Sequence, residues 1–180
     1  METSDISPEI PLSETPIYSG RVVNLVVADV QLQNGMTSKR ELVRHPGAVA
    51  IVAIDANDHV LLVRQYRFAA QQVMTEIPAG TLNPGEDPAF CAERELQEET
   101  GYKAGELISL GGLFVAPGYT TEFIHLFLAR DLSESRLAMD DDEFIDVQRV
   151  PFNDALAMID HGQIIDGKSI VGLLKVARLR

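Results

Sequence analysis

The chain has 180 residues, 46% of them hydrophobic, which suits one globular domain with a sizeable core. Its formal net charge of -12 argues against a nucleic-acid-binding surface or an anionic membrane partner, and no apolar run approaches the roughly 20 residues needed to cross a bilayer. The single cysteine, Cys91, cannot close an internal disulfide, so a reducing, cytoplasmic setting is expected.

Residues 1–15 have no basic start and no apolar centre, so they are not read as a signal peptide. They are polar, acidic and broken by Pro8 and Pro11, and read as a flexible tail. Residues 16–44 read as an N-terminal antiparallel unit, with strands over 17–29, 30–33 and 39–43 and a hairpin turn at Asn34-Gly35. Three strands have little core of their own, so this unit is expected to lie against the main domain or a second copy of the chain.

The main domain is placed at residues 45–180. Strands are predicted over 48–54, 60–66 and 73–77, then over 106–115, 122–129 and 144–151. Helices are predicted from an Asn153 cap to about 159 and from near Asp166, the latter with Ile170, Leu173, Leu174 and Ala177 along one face. Strands on both sides of a central helix predict an α/β sandwich.

The central helix carries the chemistry. Asp87 can cap it, Pro88 suits its first position and Gly101 suits the residue past its end. Helical spacing brings Glu95, Glu98 and Glu99 to one face, while Ala89, Ala92 and Leu96 form the neighbouring apolar stripe. Like charges at these spacings cost roughly 0.2–0.5 kcal/mol per pair, so a cation is expected among them. Arg94 lies one turn before Glu98, and Glu86 in the preceding loop is within reach of it. Oxygen-only donors favour Mg²⁺ or Mn²⁺ over zinc. Cys91 has no thiol-activating neighbour in sequence and reads as a packing residue.

Gly80, five residues, Glu86, seven residues, and then Arg94-Glu95-Leu96-Gln97-Glu98-Glu99-Thr100-Gly101-Tyr102 match every fixed position of the Nudix box. The stretch resembles a Nudix hydrolase, which implies a Nudix-type α/β/α sandwich with a mixed sheet and hydrolysis of nucleoside diphosphate derivatives with a divalent metal. Glu76-Ile77-Pro78-Ala79-Gly80 before the box, Val63-Arg64-Gln65-Tyr66-Arg67 further upstream, and Ala116-Pro117-Gly118-Tyr119-Thr120-Thr121-Glu122 after it resemble the ADP-ribose pyrophosphatase branch. In that branch a proline at the offset of Pro117 from Gly101 is a marker, and the enzymes are typically homodimers with exchanged N-terminal strands.

On this resemblance, Glu95 and Glu99 are the expected metal ligands, with Glu98 assisting and the Ala79 carbonyl completing the shell. Glu86 is either a ligand, direct or through water, or the partner that fixes Arg94. Gly80, Arg94, Gly101 and Pro117 are structural. Arg67 is the first candidate for the substrate diphosphate, because a guanidinium offers a two-pronged fit to phosphate, and Arg64 and Arg44 come after it. Gly118 and Glu122 are candidates for substrate contacts, the latter for a ribose hydroxyl. Tyr18 or Phe68, or an aliphatic residue in their place, is the candidate to stack on the base, since the chain has no tryptophan. The general base is expected at Glu143, in the acidic run before residue 144, with Glu98 as the alternative. The expected reaction is Mg²⁺-dependent hydrolysis of ADP-ribose to AMP and ribose 5-phosphate. The alternatives are another nucleoside diphosphate sugar or a dinucleotide as substrate, or a non-catalytic ADP-ribose-binding sensor.

Overall fold

In the computed structural model of the chain, residues 6–138 and 144–180 are described, and they form two compact units. The first unit contains residues up to 46 and the segment Ala116–Glu122. Its strands β1 (Ile10–Ser19), β2 (Asn24–Gln31) and β3 (Thr37–Arg44) form an antiparallel sheet with β2 in the middle. The Asn34-Gly35 turn joins β2 to β3, with Gly35 at φ +81°, a conformation that glycine adopts without a side-chain clash. Residues 116–122 run beside β3: Val43 N–H donates to the Tyr119 carbonyl at 2.7 Å, and Thr121 N–H donates to the Val43 carbonyl at 3.0 Å.

Two boundaries differ from those read in the sequence. The first strand begins at Ile10, inside the stretch read as a tail, and pairs with β2 from Ile10↔Gln31 onward. An edge strand tolerates Pro11 and Pro16 because it has one unpaired side. The predicted strand over 17–29 is two strands. Gly20 N–H closes on the Val23 carbonyl at 2.9 Å, and Ser19 Oγ donates to Asn24 Oδ1 at 2.6 Å across the turn. β2 then continues through Val30 to Gln31, because as the central strand it is paired on both sides.

The second unit is built on β4 (Ala48–Ile54), whose seven residues are apolar and all buried. A strand of that composition needs cover on both faces. It sits in the middle of a mixed sheet ordered β12-β5-β4-β10-β9, from β5 (His59–Arg67), β9 (Glu106–Phe114), β10 (Phe123–Arg130) and β12 (Asp146–Pro151). β4 and β10 are parallel, and the other pairs are antiparallel. Two short strands extend it: β6 (Gln72–Glu76) on β5 and β7 (Ala79–Thr81) on β4. β8 (Tyr102–Lys103) pairs with β11 (Ser133–Glu134) separately.

The alternation of side chains divides the core into two layers. Val49, Ile51 and Ala53 of β4 face helix α1 (Pro88–Thr100), meeting its Cys91, Ala92 and Leu96. Ala50, Val52 and Ile54 face the other way, toward Phe152 and Ala155 of α2 (Phe152–Asp160) and Leu173 and Val176 of α3 (Gly167–Ala177). The result is the expected α/β/α sandwich with a mixed sheet, and each fully buried Leu or Ile adds about 1.5–3 kcal/mol. α2 starts at Phe152 after Pro151 rather than from an Asn153 cap, since the proline itself supplies the extended entry residue.

α3 approaches the sheet through Gly172. A Cβ there would stand 3.0 Å from both Ile77 Cδ1 and Val52 Cγ2. Gly172→Val is therefore expected to lower unfolding stability by about 1–3 kcal/mol, the usual cost of overpacking, measured by urea denaturation. An unchanged midpoint would contradict this packing.

Candidate active site

Two local structures fix the face of α1 that carries the acids. The helix starts at an Asp87 cap, whose Oδ1 accepts from Ala89 N–H at 2.8 Å, and ends at Gly101 in the left-handed conformation, φ 77°. Opposite it, β7 is paired to β4 through Ala50↔Ala79, Val49↔Gly80 and Ala48↔Thr81, so its backbone is part of the sheet. Ala79 N–H donates to Glu99 Oε2 at 3.0 Å. A Cβ on Gly80 would lie 1.9 Å from the Glu95 carboxyl carbon. Only glycine lets the strand and that carboxylate share the space.

Arg94 is the centre of the cluster. Its Nε and Nη2 donate to the two oxygens of Glu86 at 3.1 and 3.2 Å, and its Nη1 donates to Glu95 Oε1 at 2.7 Å and Glu98 Oε2 at 2.8 Å. One planar guanidinium thus orients three carboxylates, two from the helix and one from the loop. Glu86 is further held by Asn83, whose N–H donates to Oε2 at 2.9 Å. The Arg94 hydrogen bonds pull the Glu86 carboxyl down to about 2, and Glu86 in turn raises the arginine's own pKa. Burial pushes the Cys91 thiol up to about 12, so beside this cluster it is a packing group and not a nucleophile.

Three carboxylates share one guanidinium, and the helix carries a fourth, Glu99, held by the Ala79 N–H. This excess of oxygen donors suits a hard divalent cation, and the close approach of Gly80 to Glu95 gives the cradle in which one would be held. Among the described residues, no three Asp, Glu, His or Cys side chains stand together as a ready-made cage, and Arg94 bonds both Glu95 and Glu98.

The sequence did not single out the network around Glu76, at the end of β6. Glu76, 2% exposed, takes a two-pronged contact from Arg67, Nε to Oε1 at 2.8 Å and Nη2 to Oε2 at 2.9 Å, and a further hydrogen bond from Lys168 Nζ. Burial raises the Glu76 pKa, but Arg67 and Lys168 more than reverse this and hold it ionised. Arg67 also feels the charge of Glu99, which brings it into the electrostatic range of the helix face. The signal for Lys168 was weak: it lies 92 residues from Glu76 in an ordinary helix start.

Among the remaining candidates, the arginines have other local partners. Arg64 pairs with Asp146 at 3.7 Å on the surface, and Arg44 pairs with Glu14. Tyr18, Arg44, Pro117, Gly118 and Glu122 all belong to the first unit, where Tyr18 is exposed on β1 and Glu122 N–H donates to Thr120 Oγ1 at 3.1 Å. Phe68 is exposed after β5. Glu143 lies outside the described residues.

A carboxylate held below its ordinary pKa stabilises the fold above its unfolded pKa and loses that contribution as pH falls through the folded value. For Glu86 the window runs from 4.5 down to about 2. The Tm difference between wild type and Glu86→Gln is accordingly expected to be full above about pH 5 and to close toward pH 2, by differential scanning calorimetry without added metal. A difference that stays constant across that range would show that the Arg94–Glu86 pair contributes no charge-dependent stability.

The comparisons with known proteins agree with this geometry. The NUDIX domain matches residues 44–168. The chain is 42% identical over 163 residues to an ADP-ribose pyrophosphatase of Bacillus subtilis (strain 168), covering 89% of this chain and 88% of that one. It is 46% identical over 159 residues to a methanol dehydrogenase activator of Bacillus methanolicus, covering 87% and 86%. It is also 34% identical over 180 residues to a GDP-mannose pyrophosphatase of Salmonella paratyphi B (strain ATCC BAA-1250 / SPB7), covering 92% and 94%. A solved structure described as an ADP compounds hydrolase superposes with a TM-score of 0.86 at 23% identity, over 98% of this chain and 96% of that one, and so shares the fold. Members of this family generally work with a divalent metal. The box residues, their arrangement around Arg94, and relatives aligned over most of its length establish that the chain belongs to the NUDIX family.

Proposed function

We propose that the chain hydrolyses the diphosphate bond of ADP-ribose to AMP and ribose 5-phosphate, with Mg²⁺ as the metal and Mn²⁺ as a substitute. The observation that carries this reading is the set of carboxylates gathered on one face of α1 by Arg94, against a strand that only Gly80 can supply. The choice of ADP-ribose is supported by the B. subtilis relative, at 42% identity.

The proposed roles follow from the family resemblance together with the chemistry of the residues. Glu95 and Glu99 hold the metal, Glu98 assists, and the Ala79 carbonyl supplies a fourth oxygen. When bound, the cation screens the diphosphate oxygens and lowers the pKa of its water. Arg94 keeps the carboxylates oriented, a task that commonly carries a large share of metal affinity. Glu86, through its two-pronged contact, keeps Arg94 in place. Arg67 binds the diphosphate, with Arg64 and Arg44 as weaker candidates because each already has an acidic partner. Glu122 and Gly118 contact the ribose side, and Tyr18 stacks on the base. Glu143 takes the proton from the attacking water, or Glu98 does. The ten exposed residues of β1, including Ile10, Leu12, Ile17 and Tyr18, support a homodimer in which N-terminal strands are exchanged. The GDP-mannose pyrophosphatase relatives support a second reading, the same chemistry on another nucleoside diphosphate sugar.

Incubation with ADP-ribose and Mg²⁺ is expected to yield AMP and ribose 5-phosphate by chromatography, with kcat/KM above that for GDP-mannose. ADP-ribose among the slowest of a panel would overturn the substrate assignment. Glu99→Gln is expected to lower kcat by about 100-fold or more with the circular dichroism spectrum unchanged, and near-normal turnover would end its role as a metal ligand. Between Glu143→Gln and Glu98→Gln at saturating metal, the base is the residue whose loss flattens the acidic limb of the pH–rate profile.

A further inference from the structure

The N-terminal turn of α3 grips the segment 76–79 at two points. Ser169 Oγ accepts from Ile77 N–H at 2.8 Å and donates to Asp166 Oδ2, the residue that caps the helix. One residue earlier, Lys168 Nζ reaches Glu76 Oε2 and lies 3.0 Å from Asp166. The next residues of the segment are held as well: the Pro78 carbonyl accepts from Ile51 N–H at 2.8 Å, and Ala79 N–H is bonded to Glu99. The backbone that follows Glu76 is therefore anchored, and its buried carboxylate is shared by two cationic partners, Arg67 and Lys168.

Those partners are unequal. The Arg67 side chain is 39% exposed and that of Lys168 is 11% exposed, and both donate to the same oxygen, Oε2. If Arg67 were the sole partner, turning Nη2 toward an anion in solvent would leave a buried carboxylate oxygen bare, a cost that opposes the movement. Lys168 removes that cost by holding Oε2 permanently. Resting on the proposed role of Arg67 at the diphosphate, we infer that Lys168 is a positioning residue: it holds Glu76 Oε2 so that Arg67 can turn Nη2 to the diphosphate of the substrate while its Nε stays on Oε1.

Isothermal titration calorimetry with inorganic diphosphate and Mg²⁺ tests this on the 180-residue chain. Lys168→Met is expected to weaken binding about 10-fold, the equivalent of one charge-assisted hydrogen bond, and Lys168→Arg to restore it to within about 3-fold. In steady state with ADP-ribose, the loss should appear in KM, with kcat within about 2-fold. Val176→Ala, a fully buried position of the same helix, serves as the control: it lowers Tm and leaves the affinity unchanged. Should Lys168→Met not fold, Lys168→Gln, which keeps a shorter neutral donor, carries the same comparison. Unchanged affinity in the Lys168 variant, an equal loss in Val176→Ala, or no diphosphate binding by the wild type would each overturn the inference. Wild-type protein that binds diphosphate but leaves ADP-ribose intact would overturn the proposed function and leave this inference standing.

Discussion

The contact of Arg94 with Glu86, Glu95 and Glu98 is the constraint on which the site depends. Carboxylates at helical spacing repel, and without a cation among them that face of α1 would lose stability and the side chains would splay into solvent. One guanidinium prevents this and costs little conformational freedom, because its plane presents donors in a fixed fork. The pair with Glu86 matters as much as the helix contacts. It anchors the arginine from outside the helix, in a loop that Asn83 holds, so the acids are oriented before any ligand arrives.

That orientation is useful only if α1 stays at a set distance from β7. The two faces of β4 provide this, one packed on α1 and the other on α2 and α3. The contact of Ala79 N–H with Glu99 and the absence of a side chain at Gly80 then bring strand backbone and helix carboxylates together. α3 acts on the same segment from behind, through Ser169 and Lys168. The segment 76–81 is thus held from both layers of the sandwich. The core that stabilises the fold also sets the geometry of the site.

Local features were legible in the sequence. Asp87, Pro88 and Gly101 mark the ends of α1 by chemistry that acts within a turn, and the reach of Glu86 to Arg94 spans eight residues. The continuous apolar run of β4 announced a strand covered on both sides. Contacts across long separations were not legible. Nothing in the sequence between them links Lys168 to Glu76, and Arg67, read as a phosphate-facing arginine, is held by that same buried acid. Boundaries failed where the determinant was tertiary: β1 extends back to Ile10 because β2 offers it an edge, despite prolines that read as a tail.

The central claim is that the carboxylate face of α1 is a divalent-cation platform. Anomalous diffraction from crystals soaked in Mn²⁺ tests it most directly. The account predicts a peak bound by Glu95, Glu99 and the Ala79 carbonyl, weakened or lost in Glu99→Gln crystals. A protein that leaves this face without a peak at saturating Mn²⁺, or that binds the ion elsewhere while Arg94 alone holds the acids, would contradict it.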